Sequence, residues 1–422
     1  MTNTEQLKKD FEQHTAHSCE QIKHICSTIG PRGAGSQQEL DAQKYMIKEL
    51  ENIADKIETE EFTIHKHAFL GFIPFTVVFL LIGFLFYWKY FPALGLFFTV
   101  VAAIPAVLEF GLYYKFTDPL FPSQQSHNTI ATLKPSGPIK QRLILTGHSD
   151  SMFEWNLVYL FGPYGMRLTI IPAAVNIILT LIGSFADTIL VHLLHIDIEE
   201  GIFPPAHNVA IFIITCTIPS VLAMLFFWNP FKCVPGATDN LTGCYTSISI
   251  MKQLGQSGIK LKNTELVVLL TGSEEAGIRG AKAYVYRHQR ELKETPTLCI
   301  AVDSIRDIDE MALFTRDLNG IVKLDEQSAN LINKAASNSC QITLPLKPMP
   351  FGATDAVAFA QVGIKTVALC AMELTPPRWY HTRLDTPENM IPSAIEKCME
   401  VCYHAALLFD EVGFEGSANR NE

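Results

Sequence analysis

Acid and histidine side chains stand where apolar segments run out into small polar turns. "RLILTG" leads into His148-Ser149-Asp150, "LVVLLTGS" into Glu274-Glu275, and "TLCIAV" into Asp303. "PGATDN" presents Asp239-Asn240 just ahead of a helical pattern, and "RWYHTRLDTPEN" offers His381 in a loop before another. Two imidazoles and several carboxylates form a mixed N/O donor set suited to zinc, without the thiolates of a structural site. Adjacent glutamates at the end of a buried strand repel each other unless a cation sits beside them. Each residue alone has an ordinary reading. A lone His is commonly structural, Asp239 or Asp385 would serve as a helix cap, and paired Glu is usually solvated surface. Recurrence at successive strand ends, each inside a Gly, Ser or Thr turn, is what argues against coincidence.

The segments that must position these groups alternate in type. Strand patterns run at 128–133, 142–147, 265–271, 297–302 and 364–370. Helical periodicity marks 37–53, 240–254, 277–292, 325–338, 354–361 and 391–408, and "GPRGAGS" reads as a turn leading into the first of these helices. Such alternation predicts an α/β sheet flanked by helices, with reactive groups beyond the carboxyl ends of the strands.

Two apolar blocks interrupt the pattern, from Phe69 to about Phe116 and from about Leu168 to Trp228. Each divides into two segments of roughly the twenty residues that cross a bilayer core. Trp88, Tyr90, Tyr113 and Tyr114 would lie at the interfaces. The alternative is a pair of hairpins buried in a large soluble core. Lys66, Lys115, Arg167 and Lys232 flank the spans on the side of the polar sequence, whereas the second hairpin loop has no Lys or Arg. The positive-inside rule then puts the polar domain in the cytoplasm, with Lys89 in the first loop dissenting. Ten cysteines without a CxxC pair suit a reducing compartment, and the polar N-terminus lacks the apolar core of a signal peptide. A net charge of −10 argues against a nucleic-acid surface. Asp187 within the third span reads as an outer-interface residue or part of an internal polar path, and His192 with His195 as a solvated HxxH pair.

Taken together, "TGHSDS", "PGATDN", "GSEEAGIRGA", "AVDS" and "YHTRLDTPEN" resemble, in order and context, the co-catalytic dizinc peptidases that include aminopeptidase Y and glutamate carboxypeptidase. The resemblance covers about residues 20–65, 125–152 and 232–410. It implies an α/β fold with a mixed central sheet, here interrupted by two transmembrane helical hairpins. It also implies two zinc ions per chain, held by His148, Asp239, Glu275, Asp303 and His381, with Asp239 bridging. Asp150 would fix the His148 imidazole, and Glu274 would act as general base and acid. The expected organisation is 1–67, 117–166 and 231–412 as the peptidase domain, 68–116 and 167–230 as the two hairpins, and 413–422 as a flexible tail.

Departures from the family pattern touch the substrate pocket rather than the metal. Ser304-Ile305 follows Asp303, and "GATDAVAF" keeps Asp355 but has Ala356 where His is common. Arg306, Arg378 and Arg383 are candidate partners for a substrate carboxylate. The expected function is a membrane-anchored zinc exopeptidase acting on peptides, with aminopeptidase action leading. Single-zinc glutaminyl cyclisation, other amide hydrolysis and a non-catalytic scaffold are the alternatives.

Overall fold

A computed structural model describes residues 3–194, 205–256 and 259–414. Its organising element is a strand with neighbours on both sides, β3 (Gln141–His148), whose Leu143, Ile144 and Leu145 are wholly buried. β4 (Thr264–Thr271) and β5 (Thr297–Ile305) flank it in parallel, and β9 (Lys365–Ala371) continues the parallel run beside β5. Parallel strands covered on both faces have no solvent side, which is why these segments read as unbroken apolar runs. Antiparallel strands complete the two ends. β1 (Lys56–Ile64) and β2 (Gln124–Leu133) extend beyond β4. β6 (Met311–Asp317) lies beyond β9, with the short β7 (Val322–Lys323) and β8 (Leu346–Pro348) paired to it. The result is a nine-stranded mixed sheet in the order β1-β2-β4-β3-β5-β9-β6-β7, with β8 on β6.

Because β4 and β5 lie on opposite sides of β3, the connections diverge at the carboxyl end of β3, the place where such sheets form a crevice. Period-two alternation sends Leu143 and Leu145 to one core and Ile144 to the other. The first core gathers the helices Asn3–His24, Thr242–Gln256 and Pro392–Val412, through residues such as Phe11, Ile248 and Met399. The second packs Tyr284 and Val285 of Arg279–Glu294 and Phe359 of Ala356–Gln361. Gly147 lets β3 approach closely: a Cβ there would stand 2.6 Å from the Cys244 amide nitrogen.

Some elements were not visible in the periodicity. The Asn3–His24 helix buries Phe11, Thr15, Ser18 and Ile22, a helical stripe in which two of four positions are polar. β7 and β8 have two and three residues, too few for alternation to register. The helix expected over 37–53 runs over Gln37–Ile47 and tightens into a 3-10 turn at Lys48–Leu50.

The chain forms two units. One comprises Met1–Lys66, Ser123–Phe153 and Cys233–Glu422 and holds the sheet; the other comprises His67–Pro122 and Glu154–Lys232. Among the described residues, the second contains four long apolar helices, Ala68–Trp88, Pro92–Gly111, Pro163–Leu193 and Pro205–Phe226, with mean hydropathies of 2.6, 2.1, 2.0 and 2.4. By length and composition all four are able to cross a membrane. Their buried faces mix apolar residues such as Val77, Leu80 and Ile214 with polar ones. Thr99, Asn176, Thr180 and Ser184 face inward, while Ile182, Phe97 and Phe212 are exposed. Asp187 is buried, and its Oδ2 lies 2.7 Å from Nδ1 of His207. His195 and the tail beyond Phe414 lie outside the described residues.

Candidate metal centre

His148 is the last residue of β3, and it meets side chains delivered by three other segments. Its Nε2 lies 3.0 Å from Asp239 Oδ1, 3.8 Å from Asp303 Oδ1 and 4.0 Å from Glu274 Oε2. The other Asp239 oxygen, Oδ2, lies 3.1 Å from Nε2 of His381, which is itself 3.2 Å from Glu275 Oε2. Asp239 therefore turns one oxygen to each imidazole. Two donors held about 2.0–2.1 Å from one tetrahedral zinc stand roughly 3.3 Å apart, so these spacings suit shared ions. His148, Asp239 and Glu275 form one set whose ligand atoms all lie within 4.8 Å of one another, among the described residues. Glu275 Oε1 is buried with no hydrogen-bond partner. An acceptor left in that state is costly and is satisfied by a cation. The donor set thus fits a divalent metal.

Other buried acids hold the segments that carry these groups. Asp150 accepts the main-chain N–H of Glu274 on Oδ1 and that of Glu275 on Oδ2, both at 3.0 Å, and its Oδ1 is 3.4 Å from His148 Nδ1. One carboxylate thereby sets the imidazole and the glutamate pair together. Asp385 grips the opposite loop in the same manner, accepting from Thr238 N–H at 2.8 Å and Asp239 N–H at 3.0 Å. Glu39 accepts from Ser273 N–H at 2.6 Å and Gly35 N–H at 2.9 Å, steadying the turn before Glu274. The Asn240 amide donates to Val302 C=O at 2.8 Å and accepts from Ser304 N–H at 3.3 Å, on either side of Asp303. The Asp239–Asn240 peptide is cis.

Electrostatics at the site follow from crowding. Burial pushes the Glu274 carboxyl well above its ordinary range; His148 opposes this, and Glu275, Asp355 and Asp303 add to it. Burial also raises Glu275 to about 7, with His381 pulling against it. Burial disfavours charge on His148, but hydrogen bonds to Asp150, Asp239 and Asp303 outweigh it and hold the imidazole well above its usual value. His381 behaves alike: burial opposes charge, while Glu275 and Asp239 lift it to about 9. Asp239 is depressed despite burial because both imidazoles donate to it. The surrounding acids thus favour a positive charge at the two histidines.

All seven residues singled out in the sequence, His148, Asp150, Asp239, Glu274, Glu275, Asp303 and His381, thus meet or support this cluster. Asp385 is a main-chain grip rather than a helix cap, and only the folded loop reveals it. Asp355 lies beneath the cluster and accepts the Thr271 hydroxyl at 2.5 Å. Arg306 sits over the Trp379 ring at 5.6 Å and donates to Asn389 C=O. Beside Asp303, a hollow of about 40 Å³ is lined by Phe314, Met349, Phe351, Met372, Leu374 and Tyr380.

The sequence profile of peptidase family M28 matches residues 176–406, more than half of the 422-residue chain. That stretch includes Asp239, Glu274, Glu275, Asp303 and His381. No curated protein sequence matches the chain significantly. Among solved structures, the chain is similar to BSAP, a zinc aminopeptidase from Bacillus subtilis. There the TM-score is 0.54 at 14% identity, over 94% of this chain and 95% of that one. It is also similar to the LapA aminopeptidase of Legionella pneumophila, with TM-score 0.53 at 11% identity over 97% and 75% of the two chains. A glutaminyl cyclase from Fimbriiglobus ruber aligns with TM-score 0.52 at 12% identity over 93% and 95%. At these identities the likeness is one of fold.

Proposed function

The chain belongs to peptidase family M28, and from that premise we propose that it is a zinc-dependent exopeptidase anchored in a membrane, acting as an aminopeptidase on peptides. The observation that carries this reading is Asp239, whose two oxygens face two different imidazoles. It supports two zinc sites sharing one carboxylate, with His148 and Asp303 on one side and His381 and Glu275 on the other. Bound zinc supplies Lewis acidity, polarising the scissile carbonyl and acidifying water.

The chain's own residues do the rest. Glu274 accepts a proton from the attacking water and returns it to the leaving amine. Its main chain is pinned by Asp150, which keeps the carboxylate from drifting when its charge changes. Asp150 and Asp385, buried behind the ligands, orient them and are proposed as supports rather than ligands. The aromatic and sulfur-containing walls of the hollow beside Asp303 support an apolar side chain at the cleavage position.

The convergence of His148, Asp239 and Glu275 into one tight set also favours a second reading, a single-zinc site performing glutaminyl cyclisation. Metal content separates the two. Near two zinc ions per chain supports hydrolysis, and near one supports cyclisation. A panel of free and N-blocked peptides tests the end preference: cleavage of blocked peptides at equal rate would exclude a strict aminopeptidase.

The four apolar helices are proposed as two membrane hairpins inserted after Lys66 and after Phe153. The flanking Lys66, Lys115, Arg167 and Lys232 support a cytoplasmic peptidase unit.

A further inference from the structure

Arg32 is completely buried, and its guanidinium serves three main-chain carbonyls. Nε donates to Ser149 at 2.7 Å, Nη1 to Pro235 at 2.7 Å and Nη2 to Gly236 at 2.7 Å. Its own main chain joins the same place: its N–H donates to Ser151 Oγ at 3.0 Å, and its C=O accepts from Ser151 N–H at 3.0 Å. Ser151 Oγ in turn donates to Val234 C=O at 2.8 Å.

These partners lie on two segments that the sequence holds far apart. Ser149 directly follows His148, whereas Pro235 and Gly236 lead into Asp239. Between Phe153 and Cys233 the chain leaves this unit. Main-chain pairing joins the two segments at the Phe153–Cys233 bridge, with Val234 N–H donating to Met152 C=O at 2.9 Å, but at that remove from the ligands it cannot by itself set the spacing of Ser149 and Gly236. A guanidinium can, since its planar fork presents several donors in fixed directions at once. Burying a cation is expensive, and an apolar side chain in its place would leave these three carbonyls without their donor. Gly236 is fitted to the arrangement: its φ is +63°, and a Cβ there would stand 2.8 Å from Arg32 Nη2 and 2.4 Å from Ser151 Cβ.

We propose that Arg32 is a positioning residue that fixes the distance between His148 and Asp239 and thereby sets the affinity of the site for zinc. The inference rests on the zinc reading above. Lysine keeps the charge but reaches fewer of the three carbonyls, so the two ligand segments gain freedom that metal binding must then remove.

The test uses the full chain purified in detergent, stripped of metal, and titrated with zinc against a competing chelator. Melting curves are recorded with and without zinc. Arg32→Lys is expected to lower zinc affinity on the order of 10–100-fold and to shrink the zinc-induced rise in Tm. A purely structural role would lower the metal-free Tm and leave the affinity unchanged; that result overturns the inference. Should the wild-type chain itself bind no zinc, the zinc reading falls and takes the inference with it. For a variant that folds poorly, Arg32→Ala is titrated in the presence of methylguanidinium or methylammonium. Recovery of zinc binding with methylguanidinium alone supports the fork geometry. Equal recovery with both cations, or with neither, counts against it.

Discussion

At Glu274 and Glu275 two neighbouring carboxylates point in different directions. Glu275 Oε2 points to His381 at 3.2 Å, while Glu274 Oε2 stays 4.0 Å from the nearest imidazole nitrogen. In the proposed mechanism the more distant group is the one that exchanges a proton. Glu274→Gln is expected to reduce kcat by about 10²–10⁴ while leaving zinc content unchanged, measured by peptide turnover and metal analysis of the same preparation. A second residue-scale test lies outside the cluster. Burial raises Asp317 to about 7, although Thr354 and Leu318 donate to its carboxylate. The native state therefore holds a proton that the unfolded state, titrating near 3.8, has released. The sign follows from linkage: this group's contribution is complete below about pH 4 and is lost progressively as pH rises towards 7. Asp317→Asn mimics the protonated form, so its Tm relative to wild type should increase between pH 5 and pH 8. A pH-independent difference would show that Asp317 does not titrate in this range.

At the scale of elements, the site depends on how closely β3 and the Asp239 loop meet the helix Thr242–Gln256. Gly147→Ala would drive a Cβ to 2.6 Å from main-chain atoms of Gly243 and Cys244, which cannot move aside as a flexible side chain would. Overpacking of this kind costs about 1–3 kcal/mol, visible as a lowered denaturation midpoint. Asp385→Ala leaves the buried N–H groups of Thr238 and Asp239 unserved. Each orphaned donor costs about 1–3 kcal/mol, so this variant should melt early and also bind zinc more weakly than wild type. Loss of stability without loss of zinc affinity would mean that Asp385 supports the fold but not the ligand.

For the whole molecule, the acids gathered at one crevice should tie stability to metal. Zinc that binds the folded arrangement in preference to the unfolded chain would, at a hundredfold excess over its Kd, add up to about 2.7 kcal/mol to stability. Chelation should lower the Tm of the sheet-containing unit, and zinc should restore it; an unchanged melting curve would contradict a resident metal. The four apolar helices lead to a separate expectation. Alkaline carbonate extraction should leave the full chain in the membrane pellet, and release into the supernatant would remove the spanning reading. The two experiments are independent, since one unit carries the acids and the other the apolar helices.

The sequence by itself determined the alternation of β3, β4, β5 and β9 with their helices, because strands buried on both faces must be apolar throughout. It determined the apolar helices for a related reason: length and hydropathy are local properties. It also marked the donor residues, since turns at strand ends carry them in recognisable surroundings. Tertiary structure alone decided which donors face one another, and that Asp239 divides its oxygens between His148 and His381. The same holds for Asp385 and Arg32, whose targets are main-chain groups identical in every residue and so leave no trace in side-chain types. The short strands β7 and β8 and the half-polar stripe of Asn3–His24 were hidden for a different reason: their burial is conferred by neighbours, not by their own periodicity.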